Sequence, residues 1–219
     1  MKKVTLIGAS GYVGSAILNE LLNRNHQVTA VVRNPEKIVI QNANLEVVKA
    51  DISNVNEIVS LSKGKDAVIS AYNPGWANPR IYEETLENYP KIIEAAKQSG
   101  VKRLLIVGGA ATLFVEPGVR LIDTPNFPED WKPGAKSLGE IYLNLLSNET
   151  QIDWVFLSPA ANLGNLSSGK RTGKYRVGKD DLLLDVSGNS FISVEDYAMA
   201  MVDELEQENH HFERFTVAY

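Results

Sequence analysis

Three glycines at fixed spacing, Gly8, Gly11 and Gly14, follow the apolar run Val4-Thr5-Leu6-Ile7 and precede a helix-like stretch, Ser15-Ala16-Ile17-Leu18-Asn19-Glu20-Leu21-Leu22. A strand, a glycine turn and a helix in that order can cradle a pyrophosphate. Glycine tolerates positive φ and lets a phosphate approach the backbone. The helix then offers unpaired N–H groups and a partial positive charge to the anion. A tight turn without a ligand would use the same residues, but the flanking strand and helix point to a dinucleotide.

The next chemically informative residue is Arg33, at the end of the second apolar run, where an adenine ribose would sit. An acidic side chain there bonds the ribose hydroxyls and favours NAD, whereas an arginine accommodates the 2′-phosphate of NADP. Neither Arg33 nor Asn34 is acidic, and Lys37 adds a nearby cation, so the expected cofactor is NADP, with NAD as the other reading. A solvated arginine beside Asn34-Pro35 would leave the preference open. Asp51, after the third run, either accepts from the adenine amino group or caps the helix that follows.

These residues need a scaffold. Short apolar runs at Val28–Val32, Leu45–Val48, Ala67–Ser70, Arg103–Val107 and Asp153–Leu157 alternate with helical patterns at 15–24, 54–62, 79–99 and 136–147. Continuous apolar strands suit burial on both faces, and strand–helix alternation implies a doubly wound parallel α/β sheet of Rossmann type. Residues 164–190 are rich in Gly, Ser, Lys and Asp, and predict a hairpin of Tyr175-Arg176-Val177 with Leu182-Leu183-Leu184-Asp185 around Gly178-Lys179-Asp180-Asp181. Ser193 is the expected N-cap of a helix through Leu205, with Asp196 as its reciprocal partner. Phe215-Thr216-Val217 reads as a final edge strand. The expectation is one domain over 1–219, with 164–219 as a small substrate-side hairpin and helix elaboration.

Composition narrows the chemistry. The 219 residues carry a net charge of −5 and no cysteine, which gives no basic field for nucleic acid or anionic membrane and removes thiolate nucleophiles and disulfides. His26, His210 and His211 lack metal-ligand spacing and read as solvated loop residues, so no metal is expected. No segment has the roughly 20 apolar residues of a membrane span, and Met1-Lys2-Lys3 leads straight into a core strand. The chain reads as soluble and cytoplasmic; nothing in it sets an oligomeric state.

Together, Gly8-x-x-Gly11-x-x-Gly14, Val32-Arg33, Ala50-Asp51-Ile52 and Asp66-Ala67-Val68-Ile69-Ser70 resemble the atypical short-chain dehydrogenase/reductases. Within them the chain is similar to small NAD(P)H-binding proteins described as NADH-flavin reductases or biliverdin reductase B-like enzymes, with NmrA-like relatives. The likeness extends through Val107-Gly108-Gly109-Ala110, Ser158-Pro159-Ala160 and Gly178-Lys179-Asp180. It implies dinucleotide contacts from Ser10, Tyr12, Val13, Ile52, Ala71 and Gly108. The wider superfamily places a serine after the fifth strand and a Tyr-x-x-x-Lys pair on the next helix. Here Gly108, Gly109 and Ala110 stand where the serine would be, and Lys132 stands four residues before Lys136. Lys136 is either a cofactor ribose ligand or a surface lysine, Lys132 occupies the tyrosine's position, and these two are the candidate catalytic residues.

Without that tyrosine, carbonyl–alcohol chemistry and sugar epimerisation lack their proton donor. Reduction of a planar acceptor avoids the need, because the protein then supplies orientation and a dry pocket. Segments after the fourth, fifth and sixth strands supply candidate pocket walls: Tyr72, Asn73, Trp76, Thr112, Phe114, Trp131 and Asn162. Each alternatively packs the long loop at 111–135. The expected function is NAD(P)H-dependent reduction of a flavin-like or other small planar acceptor. The rivals are a non-catalytic dinucleotide sensor and a nucleotide-sugar epimerase or dehydratase.

Overall fold

β1 (Lys3–Ile7) sits near the middle of an eight-stranded sheet because both of its faces are apolar. Val4 and Leu6 pack towards Ile17 and Leu21 of α1 (Tyr12–Asn23) and Met201 and Leu205 of α5 (Val194–Gln207). Ile7 faces the opposite layer, with Ile58 of α2 (Val55–Ser62) and Ile92 of α3 (Ile81–Ser99). Each such buried side chain contributes about 1.5–3 kcal/mol. The computed structural model describes residues 1–163 and 171–219, so residues 164–170 of the expected elaboration lie outside the described residues.

The remaining strands of the sheet are β2 (Gln27–Val32), β3 (Leu45–Lys49), β4 (Ala67–Ser70), β5 (Arg103–Val107), β8 (Asp153–Ser158), β10 (Arg176–Gly178) and β12 (Glu213–Ala218). Their order is β10-β12-β8-β5-β4-β1-β2-β3, parallel except for β10. The chain runs outward one way through β2 and β3, then returns to β4 on the other side of β1. That reversal leaves a crevice at the carboxyl ends of β1 and β4, where such sheets hold ligands. No helix among the described residues is long and apolar enough to cross a membrane.

Four local expectations are corrected. The fourth helix, α4, starts at Lys132 rather than 136; it runs to Glu140, widens into a π-turn over Ile141–Leu145 and closes as a 3₁₀ turn at Leu146–Asn148. The wider turn sets the Tyr142 ring on Phe156, 5.1 Å away. Segment 111–135 holds a small hairpin, β6 (Phe114–Glu116) with β7 (Val119–Arg120), plus two short 3₁₀ turns. β10 pairs with β12 and not with residues 182–185, which form no strand. β12 is interior, flanked by β8 and β10, because Phe215, Val217 and Ala218 are buried by α5 and the sheet. The two-stranded pair β9 (Asn162–Leu163) with β11 (Phe191–Ile192) leads into α5.

Ser193 does cap α5, its Oγ accepting from the Asp196 N–H at 3.1 Å. The reciprocal bond is absent. The buried Asp196 carboxylate instead accepts from Thr172 N–H and Oγ1–H (both 2.7 Å), from Gly173 N–H (2.9 Å) and from the Tyr219 hydroxyl. Burial pushes this carboxyl up, but the hydrogen bonds from Tyr219, Thr172 and Gly173 outweigh it and hold the group below the usual range. Asp196→Ala should cost roughly 3–6 kcal/mol at pH 7, since it removes four hydrogen bonds that share one charged carboxylate. Because the folded pKa is depressed, this stabilisation is full above the unfolded value of about 3.9 and disappears as pH falls through the folded value. Urea titrations should therefore give a wild-type advantage that is constant above about pH 5 and shrinks in acid; an equal advantage at pH 3 contradicts the assignment.

The solvated-loop reading of the histidines holds for His211, whose side chain is 54% exposed, and fails for His26 and His210. His26 is 1% exposed: its Nδ1 accepts from the Lys2 N–H at 2.9 Å, which leaves Nε2–H to face Glu206 at 2.8 Å. His210 stacks on Phe215 at 4.0 Å and lies 2.7 Å from Glu204, while His211 lies 2.7 Å from Asp153. Among the described residues no three His, Asp or Glu side chains cluster as metal ligands would.

Candidate dinucleotide site

The three glycines of the first turn have different reasons to be glycine. Gly8 has φ +80°, and a Cβ there would lie 2.6 Å from the Ala71 carbonyl oxygen. A Cβ on Gly14 would fall 2.1 Å from the Gly8 oxygen. Both are required by close packing of β1, α1 and the β4–α3 connection. Gly11 is exposed and extended (φ −78°, ψ 171°), and a Cβ there would meet only the Gly8 oxygen, at 3.4 Å. The protein itself does not use the space over Gly11; a phosphate approaching the backbone would.

The head of α1 suits that phosphate. No side chain caps it and its first turn carries no acidic residue. The Gly11 N–H returns to the Gly8 oxygen at 3.0 Å and the first helical bond is Ser15 N–H to the Gly11 oxygen at 2.8 Å. Tyr12, Val13 and Gly14 therefore present N–H groups with no intrahelical acceptor. Ser10 lies half-buried beside them. The Gly8 N–H donates to the Val31 oxygen at 3.1 Å, which ties the turn to β2.

At the β2–β3 end of the crevice, Arg33 is exposed after β2, and its charge acts on both Asp51 and Tyr72. Asp51 Oδ1 accepts the Ser53 N–H at 2.8 Å, and that bond lowers its pKa. Asp51 does not cap α2: Asn54 does, accepting from the Glu57 N–H. Ile52 packs under α2. Tyr72 belongs to this end by geometry. Its hydroxyl accepts from Asn88 Nδ2 at 2.9 Å, its ring meets Tyr89 edge-on at 5.9 Å, and burial raises its pKa. Lys91 Nζ donates to Asn88 Oδ1 at 3.3 Å. Asn88 and Lys91 had no sequence signal, since the helical pattern of α3 does not say which turn reaches Tyr72.

At the other end, the Ala71 N–H bonds the Ile7 oxygen at 2.9 Å, and the Gly108 N–H bonds the Leu157 oxygen at 2.8 Å. Ser158 Oγ donates to the Gly109 oxygen at 2.9 Å, fixing the stretch where the superfamily's serine would stand. Leu138 of α4 covers Gly109. Thr112 is buried and accepts from Arg214 Nη1 at 2.8 Å; Arg214 also binds Asp180 and stacks over Tyr142. Phe114 exchanges backbone bonds with Asp180 and Leu182. Thr112 and Phe114 thus hold the 111–123 segment in place. Asn162 is exposed in β9, and Asn73 accepts the Gly75 N–H at 2.7 Å. Trp76 and Trp131 are exposed and adjacent. Lys132 pairs with Glu129 at 2.5 Å. Lys136 is 64% exposed at its side chain, 4.0 Å from Glu140 and over the Tyr82 ring, on a different side of α4 from Leu138.

This strand order, with a glycine turn feeding an uncapped helix at the β1–β4 crevice, defines a Rossmann-type dinucleotide-binding protein. The chain belongs to the NAD(P)H-binding family, whose model matches residues 8–208. It is 40% identical over 217 residues to YwnB, an uncharacterised protein of Bacillus subtilis, covering 98% of this chain and 97% of that one. A Bacteroides thetaiotaomicron structure provisionally described as an epimerase is 58% identical, with a TM-score of 0.93, over 100% of this chain and 97% of that one. A Streptococcus pneumoniae structure provisionally described as an NADH-flavin reductase is 35% identical, with a TM-score of 0.82, over 100% and 99%.

Proposed function

We propose that the protein is an NADPH-preferring oxidoreductase that reduces a small planar acceptor, flavin-like in its ring system. The observation that supports it is the turn at Gly11: the fold demands glycine at 8 and 14 but leaves position 11 open beneath three N–H groups. Bound there, a reduced nicotinamide cofactor supplies two electrons as hydride to the acceptor, whose remaining proton comes from solvent. The chain's own part is to bind and orient. The α1 N-terminus holds the pyrophosphate, Arg33 takes the 2′-phosphate, and Asp51 and Tyr72 flank the adenine. The side-chain-free Gly108–Gly109 stretch, held by Ser158, leaves room for the acceptor. Lys136 reaches a ribose only by leaving Glu140 and Tyr82, so its binding role is secondary to that of the turn.

An epimerase reading draws on the Bacteroides relative. It needs a side chain to take a proton from a sugar hydroxyl, and the equivalent position holds Lys132, already paired with Glu129. The deciding assay is NADPH oxidation offered flavin, quinone or biliverdin. Turnover supports the reductase; tight NADPH binding without turnover on the whole panel replaces it with the sensor.

Arg33→Ala tests cofactor choice. Losing a charge-assisted hydrogen bond should weaken NADPH about tenfold and leave NADH nearly unchanged. Equal losses measured by calorimetry would show that Arg33 serves the adenine generally.

A further inference from the structure

Two of the three tryptophans lie on the surface and touch each other. Trp76 is 60% exposed and Trp131 49% exposed, with ring centroids 6.2 Å apart and planes tilted by 44°; Trp154 is buried. Leaving two large aromatic rings in water forgoes substantial burial energy, so the way they are held is informative.

Trp76 rides on a tight turn. The Gly75 N–H donates to Asn73 Oδ1 at 2.7 Å, the Asn78 N–H donates to the Gly75 oxygen at 3.0 Å, and the Arg80 N–H donates to Asn78 Oδ1 at 2.9 Å. Gly75 itself has φ +115°, a conformation that L side chains rarely adopt. Trp131 is fixed by its N–H to the Pro128 oxygen at 3.1 Å, immediately before α4. Gly134, buried in the first turn of α4, lies against Trp76. A Cβ there would stand 2.9 Å from Trp76 Cζ3 and 2.7 Å from Ile81 Cδ1. Glycine at this position leaves room for the edge of the Trp76 ring. The turn, the glycine and the ring–ring contact together set where Trp76 and Trp131 stand.

Its position ties it to the crevice. Trp76 belongs to the same β4–α3 connection whose Ala71 presses on Gly8, and Trp131 leads into the helix whose Leu138 covers Gly109. We infer that Trp76 and Trp131 form the docking platform for the planar acceptor, stacking against a conjugated ring such as isoalloxazine. This rests on the reductase reading for the identity of the ligand. Tilted, pre-positioned rings bind a flat partner without first being ordered, and aromatic contacts select for a flat ring over a sugar.

The test uses riboflavin and the full chain saturated with NADP, reading the visible emission of riboflavin, which stacking on indole quenches. Trp76→Leu and Trp131→Leu should each weaken riboflavin about tenfold, the loss of one aromatic partner, and Trp76→Phe should stay within about threefold of wild type. NADP affinity by calorimetry should be unchanged in all three, which also shows that each is folded. Wild-type riboflavin affinity in both leucine variants overturns the platform, as does a wild-type dimer that the leucine variants dissociate without losing riboflavin. Stacking on the pair without any NADPH turnover supports the platform and removes the reductase reading. Turnover indifferent to both leucine variants does the reverse.

Discussion

Gly11→Val is expected to abolish dinucleotide binding and leave the protein folded. The backbone at Gly11 is already extended, a conformation that valine adopts readily, and a Cβ there meets only the Gly8 oxygen, at 3.4 Å. Replacing an N-cap glycine with valine costs the helix about 1 kcal/mol at most, a loss that a domain of this size tolerates. The isopropyl group would nevertheless fill the space that a pyrophosphate needs beside the N–H groups of Tyr12, Val13 and Gly14. Gly14→Val provides the contrast. Its Cβ would fall 2.1 Å from the Gly8 oxygen, within the packing of α1 on β1, and the variant should fail to fold. Calorimetry with NADPH and circular dichroism separate the two cases. Undiminished NADPH affinity in a folded Gly11→Val protein would move the pyrophosphate site elsewhere.

Arg103→Ala is expected to destabilise the protein by about 3–5 kcal/mol, the cost of breaking a buried ion pair by removing one partner. Arg103 is 3% exposed at the start of β5. Its guanidinium donates to Asp153 Oδ2 (3.0 Å), the Glu204 oxygen (3.1 Å), Glu204 Oε1 (3.0 Å) and the His210 oxygen (2.5 Å). These bonds fasten the C-terminal end of α5 and the loop before β12 to the amino ends of β5 and β8. Truncation leaves the buried Glu204 carboxylate without its cation. Arg103→Met with Glu204→Gln should recover part of the loss, since the uncompensated charge is then gone while an amide still faces His210. Urea denaturation measures both. A cost under 1 kcal/mol for the single variant would mean that water reaches the pair.

What could be read along the chain was what short-range periodicity encodes. The apolar runs at Val4–Ile7, Val28–Val32 and Arg103–Val107 fixed buried parallel strands because both faces needed cover. Gly8, Gly11 and Gly14 located the tight turn between β1 and α1 because backbone sterics there are local. The Tyr175–Val177 segment showed the limit: its strand character was legible, but its partner was not. The nearer segment at 182–185 offered a hairpin, whereas the actual partner, β12, lies about forty residues away and is brought there by α5. The site divided in the same way. Tyr72 and Trp76 share one connection and looked alike as pocket aromatics. Packing turns Tyr72 towards Asn88 and the Arg33–Asp51 end, and leaves Trp76 on the surface with Trp131.

The sequence by itself therefore determined the class of fold and the glycine turn after β1, since both rest on residue types and spacings within one βα unit. Only the tertiary structure decided which glycine the packing leaves open, where the tryptophans meet and why the histidines are held. Those depend on contacts such as Arg103 with Glu204, 101 residues apart. A pairing of that kind leaves no periodic trace in the chain, because its distance is set by the whole sheet and not by any one element.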